Sequence, residues 1–167
     1  MTVFVTEISM KKSEIAVKWE QPNEATHEAD RFSLVSTEPT MPVFAKAWAE
    51  MKKYFRQMLE LPADYVEKLN FDKIKIERND EMVTFKMFGT RALKNSKGGI
   101  SEITPWFSYD TATDKDQSGK QSRMSKACYE ELIYLQEKAL LYVEGERAQL
   151  ELFTNDEPVA EDLILAK

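Results

Sequence analysis

The chain has 167 residues, of which 43% are hydrophobic and 31% charged, a balance typical of one globular domain with a single core. Its formal net charge of −6 argues against a nonspecific wrap around DNA, which needs many Lys and Arg contacts with phosphate, but it allows a local basic surface. No apolar run approaches the about 20 residues of a membrane span and no signal peptide begins the chain, so we expect a cytoplasmic protein of a bacterial host cell.

The N-terminal segment predicts three strands. Val3 to Met10 and Ser13 to Glu20 carry apolar residues at alternate positions, as half-buried strands do, and a tight turn at Lys11-Lys12 joins them. A polar loop from Pro22 to Asp30 then leads to a third short strand, Arg31 to Ser36.

An amphipathic helix is predicted next. Pro42 suits its first turn, Thr40 is a candidate cap, and Pro62 ends it. Its apolar residues recur at helical spacing, and they are Phe44, Ala47, Trp48, Met51, Phe55 and Met58.

The same order of elements then repeats. Phe71 to Arg78 and Met82 to Leu93 predict two strands joined by a turn at Asn79-Asp80, and Ile100 to Tyr109 predicts a third extended piece. A second long helix runs from about Ser122 to Glu144. One apolar stripe is expected along it: Met124, Cys128, Leu132, Leu135, Ala139 and Tyr142. Gly145 suits its C-terminal cap.

This order, βββα followed by βββα, predicts an α+β fold. We expect a mainly antiparallel sheet with both long helices packed on one face, and duplication of the two halves is a hypothesis. Residues 1–146 would form a single domain with half-repeats 1–62 and 70–146, and residues 147–167 would form a C-terminal docking peptide and an acidic tail.

Residues able to support catalysis or bind a metal are sparse. His27, the only histidine, lies in a polar loop without a nucleophile or an orienting partner. Cys128, the only cysteine, is interpreted as a small buried hydrophobe, and one Cys with one His cannot form the usual zinc sites. A carboxylate site for Mg²⁺ at Asp110, Asp114 and Asp116 stays open as an alternative. We predict no catalytic residue, no metal and no cofactor.

Lysines occupy the solvent-facing positions of the predicted strands, where Phe88 and Trp106 offer stacking surfaces for bases. These lysines are Lys18, Lys73, Lys75 and Lys86, with Lys94 and Lys97 at one edge. The pattern indicates possible contact with single-stranded or duplex DNA or with RNA. An ordinary solvated sheet face is the alternative, since acidic residues such as Glu77 dilute the positive charge.

The segment Gln149-Leu150-Glu151-Leu152-Phe153 follows the second helix, and exposed apolar side chains on a tail are candidate anchors for a partner. It resembles the bacterial sliding-clamp-binding pentapeptide, whose pattern is Gln, Leu, Ser or Asp, Leu, Phe. The resemblance implies that Leu152 and Phe153 fill an apolar pocket on the clamp, that Gln149 hydrogen-bonds at the rim and that Leu150 packs beside it. Alternatively, the segment forms an edge strand or packs onto the helices.

A second resemblance covers most of the chain. Four motifs look like a family of uncharacterised phage and prophage proteins that finish at a Leu-Phe pair: Ser36-Thr37-Glu38-Pro39, Leu59-Glu60-Leu61-Pro62, Leu93-Lys94-Asn95-Ser96 and the run from Tyr142 to Gln149. The present chain departs from them by continuing beyond Phe153. The resemblance implies a phage setting and no activity.

Two functions are therefore expected from the sequence. The first is a non-catalytic phage protein of DNA replication or recombination that docks on the host sliding clamp. The alternative is a counter-defence protein that inhibits a bacterial immune component or sequesters a nucleotide signal. Clamp docking requires residues 149–153, whereas the alternative should survive their deletion.

Overall fold

The computed structural model describes residues 3–78, 82–109 and 124–147. In chain order these residues form β1 (Phe4–Lys11), β2 (Glu14–Asn23), β3 (Glu28–Ser36), α1 (Pro42–Met58), a 3₁₀ helix (Ala63–Lys68), β4 (Leu69–Arg78), β5 (Val83–Ala92), β6 (Gly99–Ile103), β7 (Phe107–Ser108) and α2 (Lys126–Val143). The predicted α+β fold is confirmed: the strands form one antiparallel sheet, and both α-helices contribute to one core. No helix in these residue ranges is long and apolar enough to cross a membrane.

The strands lie in the order β3-β2-β1-β4-β5-β6, and β7 pairs with β5. Each half of the chain therefore supplies an antiparallel meander, and the two meanders meet at β1 and β4 in the middle of the sheet. The order of elements is similar in the two halves, but this does not establish a duplication, which stays a hypothesis.

The central strands β1 and β4 pair over only three residues each. Glu7, Ile8 and Ser9 lie opposite Lys75, Ile74 and Lys73, respectively. Just before this short ladder, each strand carries one extra residue relative to its outer neighbour, Thr6 in β1 and Asp72 in β4. Such bulges bend a strand and end its regular pairing. Beyond each end of this ladder, β1 and β4 are therefore no longer paired with each other.

One face of the sheet packs under the helices. Four residues of this face are fully buried and belong to the same core as residues of α1 and α2: Ile8, Val17, Ile74 and Phe85. Because side chains alternate across a strand, their neighbours point to the opposite side, which we call the open face. The residues of the open face used below are Glu7, Ser9, Lys18, Lys73, Lys75, Lys86 and Phe88.

Helix α1 begins at Pro42 as predicted, but the expected cap at Thr40 is wrong. The residue directly before the helix is Met41, and its side chain makes no capping hydrogen bond. A capping side chain must occupy that position, and Thr40 lies one residue too early. In α2, Ser125 is the cap, and its hydroxyl accepts a hydrogen bond from the Cys128 amide at 3.2 Å.

The predicted apolar stripe of α2 is confirmed. Its five residues within the helix, from Cys128 to Tyr142, are at most 2% exposed, and the sixth predicted residue, Met124, is fully buried but precedes the helix. Gly145 adopts a φ of 118° directly after the cap residue Glu144, a conformation that glycine accepts more readily than other residues.

Two strand predictions need correction. The polar run from Pro22 to Asp30 is mostly β-structure, because β2 and β3 pair from Ile15–Ser36 to Asn23–Glu28 and their Trp19 and Phe32 rings stack at 5.6 Å. Cross-strand pairing here outweighs the low strand propensity of the sequence. The single piece predicted from Ile100 to Tyr109 is divided into β6 and β7 around Pro105.

Candidate nucleic-acid interface

Phe88 forms the centre of a cluster of cations on the open face. It lies on β5 directly opposite Lys73 of β4. The ammonium nitrogens of Lys73, Lys75 and Lys86 lie 4.8, 5.5 and 5.8 Å from the centroid of its ring. We call these four residues together with Trp106 the Phe88 cluster. Three of the six lysines predicted from the sequence thus surround one aromatic ring.

Acids lie near the lysines of this cluster without pairing with them: Glu7 is the cross-strand partner of Lys75, but its carboxylate pairs with Lys18. Lys75 and Lys86 are direct cross-strand partners, an arrangement in which like charges destabilise a sheet. The ring of Phe88 offsets part of this repulsion through cation–π attraction. Among the described residues, no carboxylate forms a salt bridge with Lys73, Lys75 or Lys86. Their charges are therefore available to an anionic ligand.

Trp106 brings a second aromatic ring to the cluster. The Lys86 ammonium lies 5.6 Å from its ring centroid, and 37% of the Trp106 surface is exposed. Its position depends on Pro105, which cannot donate a ladder hydrogen bond and therefore interrupts the strand. The buried Thr104 holds this break in place: its hydroxyl accepts from the Met87 amide at 2.9 Å, and its amide donates to the Met87 carbonyl at 3.0 Å.

The other three predicted lysines do not join the cluster. Lys18 lies on the open face, but its ammonium is 3.6 Å from the Glu7 carboxylate, which neutralises it in part. Lys94 and Lys97 lie in the exposed connection between β5 and β6. Lys94 is six residues from Phe88 along the chain, a distance of about 20 Å if the strand spacing continued.

The Phe88 cluster has the chemistry needed to hold a single strand of nucleic acid. Every base has a π-face that stacks on an aromatic ring, and neighbouring phosphates attract ammonium groups. Lysine stems are long and flexible, so an ammonium can leave the ring for a phosphate when a base takes its place. Bases within a duplex are already stacked on each other, so the ring favours an unpaired strand.

The structure offers no comparable arrangement for catalysis among the residues it describes. His27 is exposed in the turn between β2 and β3, where it adopts a φ of 63°. Cys128 is buried, and burial raises the pKa of its thiol far above the ordinary value, so the reactive thiolate is suppressed. In the described ranges no three His, Cys, Asp or Glu side chains gather as metal ligands. Asp110, Asp114 and Asp116 lie outside those ranges.

The pentapeptide Gln149–Phe153 also lies outside the described residues, but Arg147, the last described residue, contacts the rest of the domain. The Nε of Arg147 donates to the Glu38 carboxylate at 2.6 Å, and its guanidinium lies 3.6 Å from the ring centroid of Tyr142. The Tyr142 hydroxyl in turn donates to the Glu38 carbonyl at 2.5 Å. These contacts fix Arg147 to the segment between β3 and α1.

Two contributors to the interface were not identified from the sequence: Thr104, which positions Trp106, and the bulged residue Asp72. Asp72 lies beside Lys73 and lines a hollow next to Phe88. A three-residue step between the buried residues Phe71 and Ile74 interrupts the alternation of β4 and could have revealed the bulge.

No protein-family model, curated protein or solved structure matches this chain. Its function must therefore be inferred from its own residues.

Proposed function

We propose that this chain is a non-catalytic binding protein of DNA metabolism that holds single-stranded nucleic acid on its open face. The observation that carries this proposal is the gathering of three ammonium groups within 5.8 Å of the ring centroid of Phe88. A solvated sheet face has no need to place like charges around one ring, whereas a strand of bases and phosphates complements both features.

The overall charge limits how such a strand is bound. A net charge of −6 repels polyanions at long range, so binding must depend on a few short contacts. Three lysines can neutralise about three phosphates, while the rings of Phe88 and Trp106 accept bases. We therefore expect a modest affinity for single-stranded nucleic acid and a binding site only a few nucleotides long. The affinity should depend little on the base sequence, except where a residue contacts a particular base.

Replacing Phe88 by Ala tests the proposal through stacking. Loss of one stacked base costs about 1–3 kcal/mol, so we expect the affinity for a labelled oligothymidylate of about 12 nucleotides to fall roughly 5- to 150-fold. Fluorescence anisotropy measures this change. Phe32→Ala is the matched control, since Phe32 is 42% exposed on the edge strand β3, away from the cluster.

The two variants together separate a local contact from a general loss of fold. The proposal predicts weak binding by Phe88→Ala and nearly unchanged binding by Phe32→Ala, with both variants folded at the temperature of the binding measurement. Equal affinities for the two variants and the intact protein, or no binding by any of them, would contradict it.

We further propose that residues 149–153 bring this domain to the bacterial sliding clamp, which would place the protein in the cytoplasm at sites of DNA synthesis. The proposal is supported by the match of Gln149, Leu150, Leu152 and Phe153 to the clamp-binding pattern. The contacts of Arg147 with Glu38 and Tyr142 also support it, because they hold the last described residue against the domain two positions before the motif begins.

Calorimetry with a purified bacterial sliding clamp tests this docking. We expect binding in the micromolar range by the intact chain and its loss in a Leu152→Ala/Phe153→Ala variant, because those two side chains would fill the pocket. A Leu163→Ala/Leu165→Ala variant removes similar apolar groups farther along and should bind normally. If the Leu152→Ala/Phe153→Ala variant instead melts well below the intact protein, the peptide belongs to the core and the clamp proposal fails.

A further inference from the structure

A hollow of about 310 Å³ opens on the open face directly beside Phe88. Phe88 and Ile103 form apolar walls, and Ser9, Thr90, Ser101 and Asp72 contribute polar groups. It exists because β1 and β4 stop pairing after Ser9–Lys73, at the bulge that contains Asp72. Its size is at the lower end of small-molecule sites, which are roughly 300–1,000 Å³.

Asp72 is the most informative residue of this hollow. Its side chain is half-buried, and among the described residues no group donates a hydrogen bond to its carboxylate. Partial burial raises the pKa of this carboxyl group, and the nearby Lys11 opposes that increase. A carboxylate that has lost part of its water without gaining a donor is a ready acceptor for a ligand.

We infer that this hollow is a nucleobase subsite that selects guanine through the Asp72 carboxylate. The inference rests on the proposed function, because the base would be one that stacks on Phe88. Guanine presents two adjacent donors, N1–H and N2–H, which match the two oxygens of one carboxylate. Adenine, cytosine and thymine each place an acceptor beside their donor, and that acceptor would face the negative charge.

The register of the sheet puts stacking and recognition within reach of each other. Lys73 is the direct partner of Phe88, and Asp72 precedes Lys73 in β4. Neighbouring strands are about 4.8 Å apart, so a base stacked on Phe88 extends its edge over the position of Asp72. The hydroxyls of Thr90 and Ser101 lie at the rim, where they can bond to the sugar or to the remaining base atoms.

Anisotropy with matched oligonucleotides tests this selectivity. The probes are an oligothymidylate of about 12 nucleotides and the same strand with one central guanine, hypoxanthine or adenine. A carboxylate paired with both donors is expected to favour guanine over adenine about tenfold, in line with bidentate base contacts. Hypoxanthine, which lacks the N2 amino group, should fall between them.

The variant Asp72→Asn should remove the preference for guanine, and its affinity for plain oligothymidylate should rise slightly because a negative charge beside Lys73 is lost. Asp30→Asn, an exposed carboxylate on β3, is the control and should keep the preference. Equal binding of all four strands, or a guanine preference that survives in Asp72→Asn, would overturn the guanine subsite and leave strand binding intact. Absence of binding to every strand would overturn strand binding and the subsite with it.

Discussion

Replacing Lys73, Lys75 and Lys86 together by alanine is expected to weaken binding to single-stranded DNA about 100-fold at 0.1 M salt. Each phosphate contact on a single strand contributes about −0.7 to the slope of log affinity against log salt, so three contacts give a slope of about −2. At 1 M salt these phosphate contacts contribute almost nothing to binding. With a slope of about −2, a tenfold decrease in salt to 0.1 M raises the affinity of the intact protein roughly 100-fold, and the variant lacks this gain. The variant should bind with a slope near zero, and anisotropy across a salt series measures it.

The control for this variant changes the same amount of charge elsewhere. Lys46, Lys53 and Lys138 lie on α1 and α2, which pack on the face of the sheet opposite the Phe88 cluster. Their replacement by alanine should lower the affinity only slightly, through the long-range change in net charge. An equal loss of affinity in both triple variants would mean that binding responds to net charge and not to the open face.

Replacing Gly89 by alanine is expected to destabilise the fold by about 3 kcal/mol or more. A Cβ atom at Gly89 would overlap the carbonyl oxygen of Asn70 and would lie 2.6 Å from the ring of Phe55. Phe55 is fully buried and packs against Phe71 with ring centroids 5.5 Å apart, so it cannot move aside without disturbing the core.

Thermal unfolding measures this destabilisation. For a domain of this size the loss corresponds to a decrease of roughly 6–12 °C in the melting temperature. Gly98→Ala is the matched control, because a Cβ there meets only the Ser96 hydroxyl, at 4.0 Å. A Gly89→Ala variant that melts with the intact protein would show that β4, β5 and α1 are packed differently from this structure.

The sequence predicted the open face because strand periodicity is a local property. Alternation in β4 and β5 placed Lys73, Lys75, Lys86 and Phe88 on the solvent side before any contact was known. It could not predict that the three ammonium groups surround one ring. That depends on the register between β4 and β5, in which Lys73 lies opposite Phe88.

Deviations from strict alternation in a strand also carry structural information. Val5 and Ile8 in β1, like Phe71 and Ile74 in β4, are buried residues three positions apart, and each three-residue step marks a bulge. Even so, the hollow beside Asp72 depends on the pairing of β1 with β4, strands that are distant in the sequence. Such long-range pairing has no local signal.

The irregular parts of the interface were the hardest to predict. Pro105 in the sequence predicts an interruption of the strand. It does not predict that Thr104 stays bound to β5, which depends on its buried hydroxyl accepting a hydrogen bond from the Met87 amide. Charge alone relates Lys94 and Lys97 to the other lysines, and both lie in the connection between β5 and β6, without a contact to the Phe88 ring. The docking peptide was proposed from its motif, and its role stays a prediction.

Photo-crosslinking is the most direct test of strand binding by the open face. An oligothymidylate in which single positions carry iodouracil is irradiated with the intact protein, and the crosslinked residue is identified by mass spectrometry. Because iodouracil reacts with a ring on which it stacks, we expect crosslinks at Phe88 and Trp106 that excess unlabelled strand removes. Crosslinks confined to α1, α2 or β3, or none at all, would contradict the proposal.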